Sequence, residues 1–154
     1  MIRKIIFITL DLALIIIVGY FLIFGQDMVA ITKTTDQYMT AMSNGDARTA
    51  YSLLADRAQR ISSVALYEQW LQNDKFRYNY LGYEKMCVRW IQFEPYIGDR
   101  ATADPPYTRT ASLQSCFSYN DQNKAGGATV FLEKENGNWR ILGIYITAYP
   151  TNAK

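Results

Sequence analysis

Catalysis needs nucleophiles, acids, bases or metal ligands in workable combinations, and this 154-residue sequence offers few. It has no histidine. That excludes a Ser-His-Asp or Cys-His nucleophile system and every histidine-bearing metal site. The acids Asp36, Asp46, Asp56, Glu68 and Asp74 fall at helix caps, helix ends or polar faces. Glu84 is the one carboxylate near a strand interior, and it adjoins Lys85. The last apolar stretch, 139–148, has no acid at all. The expectation is a chain that is not an enzyme and has no cofactor or metal.

Cys87 and Cys116 are the two cysteines. Their separation is far from C-x-x-C, and two cysteines without histidine do not complete a structural zinc site. Both fall on expected strands. If residue 93 pairs with residue 110, positions whose numbers sum to 203 face each other, and Cys87 and Cys116 satisfy that sum. A disulfide there would stabilise by roughly 3–4 kcal/mol in the chain-entropy model. Two buried free thiols are the competing reading.

The elements that must position these residues begin with a hydrophobic run. Fifteen of the 20 residues 5–24 are Val, Ile, Leu or Phe. As a helix the run is about 30 Å long, the thickness of a hydrocarbon core. Its apolar residues, at about −0.3 to −0.6 kcal/mol each, outweigh Asp11 at about +2.5 to +3.5. Arg3 and Lys4 precede it and Asp27 is the first charge after it, so the positive-inside rule puts the N-terminus in the cytoplasm. The expected division is a cytoplasmic 1–4, a transmembrane helix 5–25, an extracytoplasmic domain 26–149 and a tail 150–154. A cleaved signal peptide fits less well, because the run is long and position 22 is a leucine. Asp11 either meets another transmembrane helix or lies near enough to the cytoplasmic face to reach water.

Residues 26–154 carry 14 Lys/Arg and 13 Asp/Glu, with no basic cluster. Nucleic acid is therefore not an expected partner. Three helices are expected first: 27–43, with Met28, Ile31, Thr35, Tyr38 and Met42 as its apolar stripe; 47–58 behind an Asp46 cap; and 64–73 behind Ser62 or Ser63. From residue 74 onward strands are expected. Residues 83–93 alternate, with Met86, Val88 and Trp90 on one face. A second strand covers 107–119, and 120–127 reads as a loop. Strands 128–135 and 138–148 flank Asn136-Gly137, the type I′ hairpin dipeptide, which sets Glu133 opposite Arg140 and Leu132 opposite Ile141. The fold class is α+β, with about three helices on a curved four-stranded antiparallel sheet. Tyr96 and Tyr107 flank the Pro-containing segment 94–106, and such a loop with rigid, amphipathic tyrosines suits a partner contact. An irregular loop with its tyrosines packed back on the sheet is the alternative.

Two segments resemble the nuclear transport factor two-like superfamily, a cone of helices against a bent sheet. One is Asn44-Gly45-Asp46 with Ala50-Tyr51-Ser52-Leu53-Leu54 after it; the other is Glu133-Lys134-Glu135-Asn136-Gly137-Asn138-Trp139-Arg140-Ile141. The resemblance spans 27–148. It implies a fold more than a function, since that superfamily includes pocket enzymes, binding modules and membrane-anchored subunits of larger assemblies. Its catalytic members use an Asp or His base with a Tyr or Asp donor, so with histidine absent the resemblance implies at most a carboxylate–tyrosine pair, with Tyr38, Tyr51 or Tyr67 lining the cone as candidate donors. The layout is similar to that of type IV secretion inner-membrane subunits with this fold. The reading is a single-pass accessory or scaffolding subunit whose partners are the bilayer and other membrane-complex subunits. The alternatives are a small-ligand binder or enzyme using the cone pocket, and a secretion-system subunit.

Overall fold

The structure, a computed structural model, describes residues 2–95 and 109–150, without the side chains of 2–13, 16, 17, 20, 22, 23, 94 and 95. Its helices are α1 (Ile2–Ser43), α2 (Ala47–Ser52), α3 (Asp56–Gln59), α4 (Val64–Gln72) and α5 (Asp74–Tyr78). Its strands are β1 (Tyr83–Pro95), β2 (Arg109–Tyr119), β3 (Lys124–Glu135) and β4 (Asn138–Pro150), paired antiparallel in the order β1-β2-β3-β4. The α+β class and the four-stranded meander are as expected; the described residues form five helices. Among the described residues no helix is long and apolar enough to cross a membrane. Most side chains of the run 5–24, Asp11 included, lie outside the described residues. Tyr96 and Tyr107 lie outside them too.

α1 is one uninterrupted helix, so the expected boundary at 25–27 is not a break. A glycine without a neighbouring proline costs a helix only about 1 kcal/mol. The helix stops at Asn44-Gly45 as expected. Gly45 has φ +77°, the Asp46 N–H bonds the Ala41 carbonyl at 2.8 Å and the Gly45 N–H that of Met42 at 3.2 Å. This is the Schellman closure. Ile31, Thr35, Tyr38 and Met42 are buried on the sheet. Met28, expected in the same stripe, is 43% exposed, and Asp27 is buried instead. Both neighbour Ile31 one turn back, and hydrogen bonds decide which one turns inward.

The expected helix 47–58 is broken in two. Leu53–Ala55 run along β4: the Ile141 N–H bonds the Leu53 carbonyl at 3.0 Å and the Ala55 N–H bonds the Ile141 carbonyl at 2.8 Å. This bridge occupies backbone groups of an edge strand that would otherwise lie open. Residues 74–78, expected to lead into strands, form α5. Asn73 caps it, accepting from the Lys75 and Phe76 N–H groups at 3.0 and 3.2 Å.

β1 carries a register shift between Val88 and Trp90. One extra residue swaps the faces of everything beyond it. Met86 packs on the core, but past the shift Ile91 and Phe93 do, and Trp90 is 41% exposed on the outer face. The expected Met86, Val88, Trp90 face is therefore split. Cys87 does face Cys116, and residue 93 faces Ala111 rather than 110. At the last hairpin Asn136 and Gly137 have φ +49° and +82°, a type I′ turn, with Glu133 opposite Arg140 and Leu132 opposite Ile141. The expected loop 120–127 is shorter, because β3 starts at Lys124 and takes in Gly126 and Gly127.

Those two glycines permit close approach. A Cβ on Gly127 would stand 2.5 Å from the Ser115 carbonyl oxygen, and one on Gly126 2.7 Å from that of Thr147. A Cβ on Gly143 would meet nothing within 4 Å. Gly127→Ala is expected to lower stability by about 2 kcal/mol, whereas Gly143→Ala changes it by less than about 0.5 kcal/mol. Urea titration of the full chain in mild detergent checks both; equal effects would contradict the packing described.

Candidate functional site

Asp27 sits where α1 first meets the sheet. Its Oδ1 accepts from Lys134 Nζ at 2.6 Å and from Trp139 Nε1 at 2.9 Å, and Arg109 stands 3.5 Å from Oδ2. The carboxylate side chain is only 7% exposed. Burial alone would raise its pKa. The hydrogen bonds from Lys134 and Trp139 and the charges of Lys134 and Arg109 outweigh that and hold it below its ordinary value. Phe24, one turn earlier, lies edge-on to Phe93 at 5.3 Å, and Phe93 packs on Trp139 at 6.0 Å. In the sequence Asp27 reads only as the first charge after the hydrophobic run. A carboxylate at the head of an apolar stripe, with Lys134 and Trp139 near the Asn-Gly turn, is the only signal the chain offered.

Buried side chains fill the core between the helices and the sheet. Tyr38, Met39, Met42, Leu113, Val130, Leu132 and Ile141 are fully buried. Tyr38 lies edge-to-face with Tyr67 and Tyr80 at 6.5 and 6.4 Å, and its hydroxyl is 3.5 Å from that of Tyr67. Burial pushes the Tyr38 phenol well above its ordinary pKa. Tyr51 donates to the Gln59 carbonyl at 3.0 Å. The three tyrosines considered as proton donors thus come together as packing. The carboxylate–tyrosine pair that does form is Asp36 with Tyr83, at 2.5 Å on the rim between α1 and β1. Burial, then the bond to Asp36, raise the Tyr83 phenol far out of the working range.

Two surface features remain. An open apolar groove of about 650 Å³ runs between α1 and β1, floored by Met28, Val29, Thr32, Met86, Val88 and Ile91, with Lys33, Asp36 and Lys85 also lining it. On the opposite sheet face a cross-strand row, Trp90–Gln114–Thr129–Tyr145, spans all four strands. Trp90, Phe131, Tyr145 and Tyr149 are 41, 50, 73 and 53% exposed there. Tyr145 and Tyr149, with Arg89, Gln114 and Thr147, line a shallow depression of about 310 Å³ over Gly126 and Gly127. Sequence alternation placed Trp90 with Met86 and Val88, because the β1 shift that moves it onto this face is not visible in it.

Cys87 and Cys116 form a disulfide across β1 and β2, with Cα atoms 5.1 Å apart. It lies on the exposed face, so buried free thiols are ruled out as the reading. Among the described residues no group of acids and cysteines could hold a metal ion. Glu133, expected to support Arg140 at the surface, is buried and pairs with Arg57 at 3.0 Å. Arg140 instead donates to the Ser52 carbonyl at 2.6 Å. Arg57 and Arg140 are thereby the grips on the α2–α3 turn. Burial and the neighbouring Glu135 push the Glu133 carboxyl up to about 7, with Arg57 offsetting part of the rise.

Asp27→Ala leaves Lys134 and the Trp139 indole without their acceptor and is expected to cost about 2–4 kcal/mol; Asp27→Asn, which keeps an acceptor, costs less. Arg109, 61% exposed, contributes little. With its pKa lowered, the Asp27 contribution is complete above its ordinary value of 3.8 and is lost as pH falls through the folded value. Glu133 acts oppositely. Between 4.5 and about 7 the folded chain keeps a proton the unfolded chain has released, so stability falls as pH rises through that window. Glu133→Gln is expected to flatten the stability profile over that window; an unaltered slope in pH-dependent thermal unfolding would contradict the assignment. No protein-family model matches this chain, and no curated protein matches it either.

Proposed function

We propose that this chain is a single-pass, membrane-anchored accessory or scaffolding subunit of a membrane protein complex. Its N-terminus is cytoplasmic and its α+β domain is extracytoplasmic. The observation that carries the reading is α1 itself. One uninterrupted helix contains the hydrophobic run 5–24 and, from Asp27 on, the central helix of the folded core. The domain is thereby fixed to the anchor as a strut, with Asp27 and Phe24 locking it within a turn of the bilayer. That suits a subunit holding a set position better than a tethered, free-ranging binder. Two further features support a docking role: the cone is occupied by side chains, and an aromatic face of Trp90, Phe131, Tyr145 and Tyr149 offers rigid amphipathic area of the kind interfaces use. Tyr96 and Tyr107 stay in the proposal as partner contacts on the segment that joins β1 to β2.

A pocket-enzyme or ligand-binding reading has one observation in its favour, the Asp36–Tyr83 pair beside the groove. It is weakened because that phenol is committed to Asp36 and held far from ionisation. A secretion-system subunit is the narrower form of the scaffold reading.

In native membranes the chain is expected to resist alkaline extraction. Protease added to intact spheroplasts is expected to remove 26–149 and spare the N-terminus. Mild-detergent purification is expected to recover other membrane subunits, with recovery reduced by Tyr145→Ala/Tyr149→Ala. A chain released by alkali overturns the anchor, and a chain recovered free of other subunits overturns the scaffold.

A further inference from the structure

The outer face of the sheet carries a cation that nothing in the fold uses. Val88 faces Ser115 and Trp90 faces Gln114, so Arg89 is the extra residue of the β1 bulge and has no opposite number. It is exposed, and it has no ion-pair or hydrogen-bond partner among the described residues. Bulges re-aim side chains, and this one sets Arg89 at the depression over Gly126 and Gly127. The depression exists because a side chain is missing. Pairing gives two neighbouring rows, Gln114–Thr129–Tyr145 and Cys116–Gly127–Thr147. Gly127 holds the middle of the second row bare, and a Cβ there would stand 2.5 Å from the Ser115 carbonyl oxygen. Tyr145 and Tyr149 rise from the same face of β4, about 14 Å apart along the strand, with Thr147 between them. Neither phenol has a hydrogen-bond partner among the described residues.

The lining selects a ligand class. No acid lines the depression among the described residues, and β2 and β4 contain none from end to end. An unpartnered guanidinium in such surroundings binds an anion, and its planar fork matches a carboxylate. One cation does not hold a nucleic acid, which engages several phosphates. A peptide laid here gains no main-chain bonds, because β2 and β3 are each paired on both sides. A small apolar molecule needs enclosure, and this site is shallow. Gln114 Oε1 accepts from the Trp90 indole at 2.8 Å, which leaves the Gln114 NH2 to donate. The ligand that answers the whole lining has hydroxyls for Gln114, Thr129 and Thr147, flat C–H faces for two exposed tyrosine rings, and a carboxylate for Arg89. A sugar acid has all three.

We propose that this depression binds an acidic oligosaccharide, with Arg89 on a sugar carboxylate and Tyr145 and Tyr149 stacked on its rings. The site depends on neither the anchor nor the scaffold reading. Calorimetric titration of the full chain in mild detergent tests it, with a tetrasaccharide alternating glucuronate and N-acetylglucosamine as the probe. Saturable binding is expected. The carboxyl-reduced, neutral tetrasaccharide is expected to bind about tenfold more weakly, the loss of one charge-assisted hydrogen bond. This comparison needs no variant. Arg89→Ala is expected to lose the same factor for the acidic form and nothing for the neutral one, whereas Tyr149→Ala weakens both several-fold. Both side chains are exposed, so thermal unfolding of the two variants is expected to match that of the parent chain. Absence of binding, equal binding of the acidic and neutral forms, or binding indifferent to Arg89→Ala overturns the proposal. Tighter binding of an acidic peptide or a single-stranded oligonucleotide of equal charge overturns it too. None of these outcomes bears on the anchor.

Discussion

The buried carboxylate of Asp27 is the constraint on which the rest of the structure depends. It draws together α1, the end of β3 through Lys134, the start of β4 through Trp139 and the start of β2 through Arg109. A charge taken out of water is tolerated only with donors in place, so its burial specifies the angle at which α1 lands on the sheet. With that angle set, Ile31, Thr35, Tyr38 and Met42 fall in line along the core. Thr34 reaches the Trp139 carbonyl at 3.3 Å on the flank. The same geometry leaves Met28 and Val29 facing out. The uncovered face of α1 is thus a consequence of the clamp, not a lapse in hydrophobic patterning.

A four-stranded meander has two open edges, and this chain treats them differently. β4 is met by Leu53–Ala55, whose bridge at Leu54 interrupts what would have been a single helix. β1 is stapled to β2 by the Cys87–Cys116 disulfide and bent by its register shift. At the far end of the sheet Lys124 is buried, donating to the Tyr78 and Leu81 carbonyls beneath the Tyr119 and Tyr78 rings. It thereby answers carbonyls at the end of α5.

Most local chemistry was legible, the Asn73 cap that starts α5 being the exception. Asn44-Gly45 ends α1, Ser63 caps α4 with a 3.2 Å bond to Leu66, and Asn136-Gly137 sets the last hairpin, because each feature is decided within a few residues. The cysteine pairing was legible through register arithmetic, although its assumed starting pair was one residue off and the β1 shift absorbed the difference. What escaped were decisions made across the fold. The split of α2 from α3 is made by Ile141, the inward turn of Asp27 by Trp139 and Lys134, and the burial of Glu133 by Arg57. None of those partners lies within 70 residues in sequence of the residue it controls. The aromatic outer face was missed for the same reason, since alternation fails at a bulge that only pairing reveals.

The place of Gly25 shows how the two halves of α1 share one task. A flexible hinge there would free the domain from the hydrophobic run that precedes it, and a glycine flanked by loop-forming residues would supply one. Gly25 instead lies inside continuous helix, with Phe24 against Phe93 before it and Asp27 in the clamp after it. Contacts on both sides remove the conformational freedom that glycine would otherwise contribute, while its missing side chain leaves the opposite side of the helix open. Gly25 is therefore not a hinge. A helix stiffened on its domain side and bare on the other is built to present that bare side in a fixed direction.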